Sequence, residues 1–326
     1  MHVTFPLLVP GLIAQSTARA EESLSLAGRL GDPLLHLWAA WSRTLVAATA
    51  RDVDEVDRCL GIMDGLARQL NQPTIPWAVT LEHAMRARLS GDVDLAEQLA
   101  MEALQIGTDG GEPDAESVFG VQLMGVSYER GNMGDLAPLI EEAANSLTGI
   151  PAFLGALALA HAEADRTTEV RASLEAFEAA GFQLPVDAGW LTGMNCYAAA
   201  AVECRDPRFA APIFEQLDPW SDQLSFGVAS TEGPVAHYVA GLASVLGRHA
   251  EAESRYEESA AFSEQVGAKF FAGMTALSWG RMLVERAGPG DRERGEVLLQ
   301  KALASASTNG YATVERRAAA ALLDLT

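Results

Sequence analysis

The sequence predicts an all-α protein built as an α-solenoid, in which antiparallel helix hairpins stack side by side. Three observations lead to this prediction. Amphipathic segments of about 14–20 residues recur along the chain and are separated by short Gly, Asp or Pro breaks. Alternating β-branched runs, which are typical of strands, are scarce. The helical segments also recur in pairs, with a period of about 40 residues.

The periodicity predicts sixteen helices. They are expected near 17–30, 33–50, 53–70, 73–90, 92–109, 113–131, 133–147, 151–164, 167–180, 187–204, 207–217, 234–247, 249–266, 268–287, 291–308 and 311–325. We expect residues 1–16 to form an irregular N-terminal extension and residues 17–326 to form a single solenoid domain. The unpatterned segment 218–234, "DPWSDQLSFGVASTEGP", is long enough for a functional loop. It would either cover the groove of the solenoid as a lid or pack against a neighbouring repeat.

One position in the turn between the two helices of each pair marks the repeat. These positions are Arg51, Gly91, Gly131, Asp165, Arg205, Gly247 and Gly290, at spacings of 34 to 43 residues. Small, aliphatic or aromatic residues predominate five, nine and twelve positions after each of them. Steps of four and three return to the same helix face, so these offsets form one apolar stripe. A single hairpin cannot bury such a stripe, and stacked hairpins would share a continuous core.

Two Asp-Val-Asp triplets raise the question of a metal site. They begin at Asp52 and Asp92, forty residues apart and directly after a turn position. Residues two apart on a helix point away from each other, which disfavours a shared cation. Asp is instead one of the best N-cap residues, and a Glu three positions later completes a capping box. We therefore expect helix caps, with Asp52 paired to Glu55 and Asp94 paired to Glu97, and no metal ligands.

The charge disfavours two classes of partner. The net charge is −21, from 44 acidic and 23 basic residues. Such a field repels nucleic acid phosphates and anionic lipid headgroups, so we expect neither a nucleic acid nor a membrane partner. No apolar run approaches the ~20 residues of a membrane-spanning helix. A cationic partner or a neutral small molecule is compatible with this charge.

Motifs for catalysis and for cofactors are missing from the sequence. The six histidines form no HExxH pair, the glycines form no Walker A loop, and no DDxxD run occurs. We therefore expect no enzyme activity, no cofactor and no metal. Cys59, Cys196 and Cys204 are widely spaced, which indicates buried thiols in a reducing compartment and a cytoplasmic protein. A secretory signal is the alternative interpretation of the first twenty residues, although they lack a basic start and contain two prolines.

The pattern around each turn resembles the tetratricopeptide repeat (TPR), although the period is longer than that repeat usually has. Two stretches resemble one family more closely: "RLGDPLLHLWAAWSRTLVAATARDVDEVDRCL" from Arg29 and "GPVAHYVAGLASVLGRHAEAESRYEESAAFSEQVGAKFFAGMTALSWGRMLVERAGPGDRERGEVLLQKAL" from Gly233. They are similar to the helical-repeat region of large bacterial, mainly actinobacterial, signalling ATPases fused to class III nucleotide cyclase or LuxR-type domains. The resemblance covers roughly residues 17–325. It implies a right-handed superhelix of about seven repeats, corresponding to the regulatory tail alone, as a stand-alone product or as a separated fragment.

The same resemblance implies where a ligand or partner would bind. In tetratricopeptide folds the first helix of each pair forms the inner, concave wall. The side chains expected on that wall are Trp38, Trp41, Met85, Arg88, Tyr128, Asn195 and His237. Aromatic side chains on such a surface would anchor a peptide or a sugar, whereas packing between layers is the alternative role for the tryptophans.

Three functions are compatible with these features. The first is a non-enzymatic scaffold that binds a protein or peptide within a bacterial signalling or transcription-regulatory system. The second is a sensor that binds a small-molecule effector in the concave groove, as the similar repeats of the maltose-regulon activator do. An enzyme is the third and has the least support. The sequence does not indicate an oligomeric state.

Replacing the capping aspartates by asparagine tests the interpretation of the two triplets. Because Asn caps a helix about as well as Asp, Asp52→Asn and Asp92→Asn are expected to change the free energy of unfolding very little. The corresponding alanine variants should each lose about 1 kcal/mol in urea denaturation. Stabilisation of the wild type by divalent cations that disappears in the asparagine variants would contradict the capping role.

Overall fold

The computed structural model describes residues 8–70, 72 and 74–325, and residues 1–7 of the expected N-terminal extension lie outside them. The described chain is all-α apart from one short hairpin, which confirms the all-α part of the predicted fold class. Helical structure begins with a 3-10 turn at Pro10–Leu12 and continues into the first helix at Ile13. The helix therefore begins four residues before its predicted start.

Sixteen α-helices lie in the described residues. They are α1 (Ile13–Leu30), α2 (Pro33–Thr49), α3 (Val53–Ala67), α4 (Thr74–Leu89), α5 (Val93–Asp109), α6 (Ala115–Arg130), α7 (Ala137–Ser146), α8 (Ala152–Glu163), α9 (Thr167–Ala179), α10 (Trp190–Cys204), α11 (Pro207–Leu217), α12 (Val235–Val245), α13 (His249–Val266), α14 (Lys269–Arg286), α15 (Asp291–Asn309) and α16 (Ala312–Leu323). Two strands, β1 (Leu224–Phe226) and β2 (Thr231–Pro234), form an antiparallel hairpin. Each helix corresponds to one of the predicted segments.

Consecutive helices pack as pairs. α2 packs against α3, α4 against α5, α8 against α9, α10 against α11, α12 against α13, and α14 against α15. The connections within these pairs are short, which makes the paired helices antiparallel. All residues of the predicted apolar stripe are buried except Leu136 and Ala143, which are half-buried. Leu136 directly precedes α7, and Ala143 lies within that helix. The stripe therefore faces the core along the whole chain.

All seven predicted turn positions have a left-handed backbone. The φ angle lies between +55° and +79° at Arg51, Gly91, Gly131, Asp165, Arg205, Gly247 and Gly290. Outside glycine this conformation costs roughly 1–2 kcal/mol. The three non-glycine members offset part of this cost with long-range ion pairs: Arg51 to Glu258, Asp165 to Arg316, and Arg205 to Glu285. The turn positions thus contact the C-terminal helices α13, α16 and α14.

The aspartates of the two triplets cap the helices that follow them, as predicted. The Asp52 carboxylate accepts a hydrogen bond from the Glu55 N–H at 3.2 Å, and the Asp92 carboxylate accepts one from the Leu95 N–H at 3.2 Å. The expected pair of Asp94 and Glu97 is wrong, because Asp92, and not Asp94, is the N-cap residue of α5. The pair of Asp52 and Glu55 forms only the first half of a capping box. The Glu55 side chain binds Arg43 and Arg58 instead of the backbone.

The side chains of Asp94 and Glu97 contact another helix and not the start of their own. Asp94 and Glu97 both bind the Arg130 guanidinium, so they link α5 to the end of α6. The Asp94 carboxylate is 2.9 Å from Arg130. These acidic side chains therefore join neighbouring repeats and take no part in capping.

The first helices of the pairs are buried on more than one side. α2, α4, α8, α10 and α12 carry buried residues around most of their circumference. Their outer side packs on the second helices of the pairs, whereas the hairpin and the C-terminal helices cover the other side. β1 contacts α2 and α10, β2 contacts α4, α10, α12 and α13, and α16 contacts α6.

The unpatterned segment 218–234 is part of this covering layer. It begins with a 3-10 turn at Asp218–Trp220 and continues as the β-hairpin, whose strand residues are all buried. It packs against several helices of distant repeats and in the same place covers part of the inner helices, so it combines features of both interpretations. The strands escaped prediction because three or four residues are too few to establish an alternating pattern.

The edge formed by the turns is where the C-terminal helices dock. The Tyr311 hydroxyl donates to the Gly91 carbonyl at 2.7 Å, and the Arg317 guanidinium donates to the Ala162 carbonyl at 2.8 Å. Gly91 has no room for a side chain, because a Cβ there would lie 2.4 Å from the Tyr311 hydroxyl oxygen. The glycine therefore allows both the left-handed turn and the close approach of the chain before α16.

A comparison of two glycines separates these two requirements. Gly91→Ala and Gly111→Ala both place a side chain on a left-handed residue, since φ is +74° and +72°. Only the first creates a clash, because a Cβ on Gly111 has no atom within 4 Å. Gly111→Ala is expected to lose about 1–2 kcal/mol of unfolding free energy, and Gly91→Ala a further ~1–3 kcal/mol from overpacking. Equal losses in urea denaturation would show that Tyr311 does not dock there.

Candidate ligand-binding cavity

A cavity of about 340 Å³ lies between the inner helices α4, α6, α8 and α10. The β-hairpin closes one side, through the tip residues Gly227 and Val228 and the strand residue Glu232. Most of the remaining wall is apolar and comes from α6 and α8, including Met124, Phe153 and several alanines. Pockets that hold small molecules have volumes of roughly 300–1,000 Å³ and this apolar character.

The wall leaves space because small side chains occupy positions where helices face each other. Ala152 and Ala156 lie on one side of α8, and Ala188 and Gly189 precede α10. The side chains across the space do not fill it. The helices therefore leave a cavity here, at a position where the apolar side chains of other repeats interdigitate.

One end of the cavity is charged. The Arg88 Nε donates to Glu129 Oε1 at 3.0 Å, and both side chains are almost completely buried, with exposures of 3% and 0%. Arg88 Nη1 has no hydrogen-bond partner. A Cβ on Gly125 would lie 2.2 Å from the guanidinium carbon, so the glycine in α6 makes room for this side chain. A buried cation thus borders the cavity with an unused donor.

A second carboxyl group faces the same end. Glu232 lies on β2, and its Oε2 accepts a hydrogen bond from the Ser225 hydroxyl at 3.0 Å. Burial raises the pKa of Glu232, while the positive charge of Arg88 and hydrogen bonds from Thr192 and Ser225 oppose the rise. Burial likewise raises the pKa of Glu129 to about 7 against the effect of Arg88. The single guanidinium therefore lies within reach of two carboxyl groups that are costly to ionise.

The remaining polar groups of the cavity are neutral. The Thr192 hydroxyl lies 3.3 Å from the Ser230 hydroxyl, and either group can donate. Burial raises the pKa of the Cys196 thiol well above its ordinary value, so the sulfur stays protonated. A protonated thiol is a poor nucleophile and contributes to the wall as a small apolar group.

The cavity continues into an open depression on the surface. The two share Ile150, Ala152, Ala188 and Gly189. Large apolar side chains are exposed around this opening, among them Ile150 at 49% and Val186 at 68%. An apolar molecule would therefore meet apolar groups before it reaches the interior.

The structure brings two of the expected wall residues together at this cavity. Arg88 contributes the charge, and Tyr128 contributes a wall while its hydroxyl donates to the sulfur of Met274 at 3.3 Å. Tyr128 also lines a separate cavity of about 60 Å³, together with His237. His237 Nδ1 lies 3.1 Å from the Thr275 hydroxyl, and burial lowers the pKa of this histidine to about 4.

The other expected wall residues lie inside the protein and do not border the larger cavity. Trp38 is half-buried and packs at a tilt of 33° against the buried Trp41, with ring centroids 5.2 Å apart. Met85 and Asn195 have no exposed surface. Neither the nitrogen nor the oxygen of the Asn195 side chain has a hydrogen-bond partner, and we have no physical account of this arrangement.

Sequence reasoning missed the acidic partners of two wall residues. The Trp41 Nε1–H donates to Glu82, and Arg88 pairs with Glu129. The two residues of each pair are 41 positions apart in the sequence. This spacing equals one repeat, so a search for complementary polar residues one period apart would have found both. Glu232 gave no comparable signal, because it lies in the segment without a pattern.

The described part of the chain has neither a metal-ion cluster nor a membrane-spanning helix. No cluster of three His, Cys, Asp or Glu residues there has a geometry that could hold a metal ion. No helix there combines the length and apolar character needed to cross a membrane. Neither a model of a known protein family nor a curated protein matches the chain.

The buried carboxyl beside Trp41 predicts a specific pH dependence of stability. The Trp41 Nε1–H donates to Glu82 Oε1 at 2.5 Å, Oε2 has no partner, and burial raises the Glu82 pKa from 4.5 to about 8. Above pH 4.5 the unfolded state ionises first, so this residue progressively lowers stability until the pH passes about 8.

Glu82→Gln removes that dependence while it keeps an oxygen for Trp41. The variant should match the wild type near pH 4.5 and be more stable than the wild type near pH 8. Urea denaturation of both proteins at the two pH values measures the difference. A stability gap that does not change with pH would show that Glu82 is not the buried acid described above.

Proposed function

We propose that the chain is a non-enzymatic helical-repeat protein that binds a small, mainly apolar molecule in the cavity beside Arg88. Its fold would be a right-handed, TPR-like superhelix of about seven repeats of about 40 residues. By the resemblance of its repeats, it would act as a cytoplasmic sensor in a bacterial signalling or transcription-regulatory system. The mainly apolar cavity with the Arg88 guanidinium in its wall is the observation that carries the proposal.

The order of the helices supports the repeat architecture. Neighbouring antiparallel pairs follow one another along the chain, and left-handed turn residues recur at the predicted spacing. Hydrogen bonds between equivalent helices keep this register: Gln122 in α6 donates to the Leu81 carbonyl in α4 at 3.2 Å. Contacts one repeat apart are typical of solenoids, in which each repeat packs on its neighbours.

The covering of the inner helices favours a small ligand over an extended peptide. In a TPR-like fold the inner helices form the groove that a peptide would occupy. Here the β-hairpin, α14 and α16 lie against those helices, and Phe270 of α14 packs edge-on against Tyr128, with centroids 5.2 Å apart. The space that remains is a closed-ended cavity of about 340 Å³.

The chemistry of the cavity suits retention of a ligand. The thiol of Cys196 is protonated, and Arg88 is held by Glu129. These groups provide hydrogen bonds and apolar contacts and include no activated nucleophile. The unbridged cysteines Cys59, Cys196 and Cys204 fit the proposed reducing compartment.

A protein or peptide partner is the second candidate function. It is favoured by the apolar side chains exposed around the mouth of the cavity, because clustered apolar surface is a common feature of interfaces. These residues are Ile150 and Val186. In this role the partner would contact the mouth, and the cavity itself would not be needed.

Filling the cavity tests the proposed function. The probe is N-phenyl-1-naphthylamine, a neutral dye whose fluorescence rises in apolar surroundings. We expect saturable binding of one dye per chain, and a loss of affinity of roughly tenfold or more in Ala156→Phe, whose ring would occupy the cavity. Ala172→Phe is the matched control, because this alanine is exposed on α9 and should leave binding unchanged. Equal dye binding in both variants would contradict a cavity site.

A further inference from the structure

The charged end of the cavity contains more recognition chemistry than an apolar pocket needs. The Arg88 guanidinium is bound to Glu129 of α6, and Glu232 of β2, whose pKa its charge lowers, lines the same cavity. The Thr192 and Ser230 hydroxyls lie beside them. A ligand that enters with its apolar part along α6 and α8 would place its other end against this cluster.

We propose that this end of the cavity selects a neutral ligand head that both accepts and donates hydrogen bonds, such as a primary carboxamide, and discriminates against carboxylate and ammonium heads. This inference rests on the proposed small-molecule function and specifies its ligand class. Arg88, Glu129 and Glu232 together determine which head groups are tolerated at this end of the cavity.

A carboxylate head is disfavoured by the carboxyl groups already present. Arg88 is the only cationic side chain that lines the cavity in the described residues, and it is engaged with Glu129 through Nε. A ligand carboxylate would be a third acidic group on one guanidinium. Burial already makes Glu129 and Glu232 hard to ionise, so another buried anion would carry a similar penalty.

An ammonium head is disfavoured by the guanidinium. It would have to approach Glu232 while facing Arg88 across the same end of the cavity, and like charges repel strongly in a desolvated site. The Glu232 carboxylate also has partners of its own, since Ser225 donates to it at 3.0 Å. An ammonium head would therefore gain little from Glu232 and lose its hydration.

A carboxamide matches the unused hydrogen-bonding groups without adding charge. Its carbonyl oxygen can accept from the Arg88 guanidinium, which lines the cavity and is bound to Glu129 only through Nε. Its NH₂ group can donate to Glu232 or to the hydroxyls of Thr192 and Ser230, which can also act as donors. A ligand with the wrong head group would leave buried polar groups of the site without hydrogen-bond partners. Such a site discriminates strongly between ligands.

The test compares three compounds that share one alkyl chain: octanamide, octanoate and octylammonium. Each competes with N-phenyl-1-naphthylamine for the wild-type protein at pH 7.5. We expect octanamide to bind roughly tenfold or more tightly than either charged compound. In Glu232→Gln, which replaces the carboxyl group by a neutral amide that can donate to a carboxylate, octanoate should gain roughly tenfold in affinity and octylammonium should gain nothing.

Two further variants make the result specific to these residues. Glu82→Gln is the matched control, because Glu82 is also buried with a raised pKa but does not line the cavity, and it should leave the order of the three compounds unchanged. Replacing both members of the buried pair, in Arg88→Met/Glu129→Leu, avoids leaving a lone charge and should abolish the preference for octanamide.

The outcomes distinguish this inference from the proposed function. A wild type that binds the dye but does not prefer octanamide to both charged compounds overturns the assignment of the head group alone. An unchanged preference in Glu232→Gln overturns it as well. If neither the dye nor any octyl compound binds, the small-molecule function itself fails.

Discussion

The docking of the C-terminal helices along the edge of hairpin turns is the constraint on which the rest of the structure depends. The hydrogen bond from Tyr311 to Gly91 joins residues 220 positions apart, and that from Arg317 to Ala162 joins residues 155 positions apart. These contacts hold α14 and α16 over the inner helices. Without them, α4, α6 and α8 would expose apolar surface to water, at about 25 cal/mol for each Å². The covering layer therefore converts an open array into a protein with a closed interior.

The candidate site is a consequence of that closure. Covering the inner helices desolvates the pair of Arg88 and Glu129, and the hairpin brings Glu232 to the same place. Buried ion pairs contribute little net stability, because the cost of desolvation offsets the attraction between the charges. An apolar pair would serve packing equally well. Recognition of a ligand head gives a reason for keeping a buried guanidinium with a free donor beside an otherwise apolar cavity.

Much of the local structure could be predicted from the sequence. Helix periodicity located sixteen segments, and the repeat spacing located seven left-handed turns, because both depend on residues close together in the chain. What covers the inner helices could not be predicted, since the contact of Tyr311 with Gly91 has no local signature. For the same reason the expected concave wall is largely interior, and only Arg88 and Tyr128 border the larger cavity. The role of Glu232 depends on the path of the β-hairpin, and the strands of that hairpin are too short to be predicted from the sequence.

Hydrogen–deuterium exchange of the wild-type protein tests the docking of α16 most directly. A helix at the end of a chain normally frays and exchanges its amide protons quickly. If α16 is docked on the turn edge, the amides of 314–321 should exchange as slowly as those of the buried helix α4. Tyr311→Phe, which removes the hydroxyl bound to Gly91, should speed the exchange of α16 and leave α4 close to the wild type. Fast exchange of α16 in the wild type, at the rate of an unprotected peptide, would contradict the closed interior and with it the origin of the cavity.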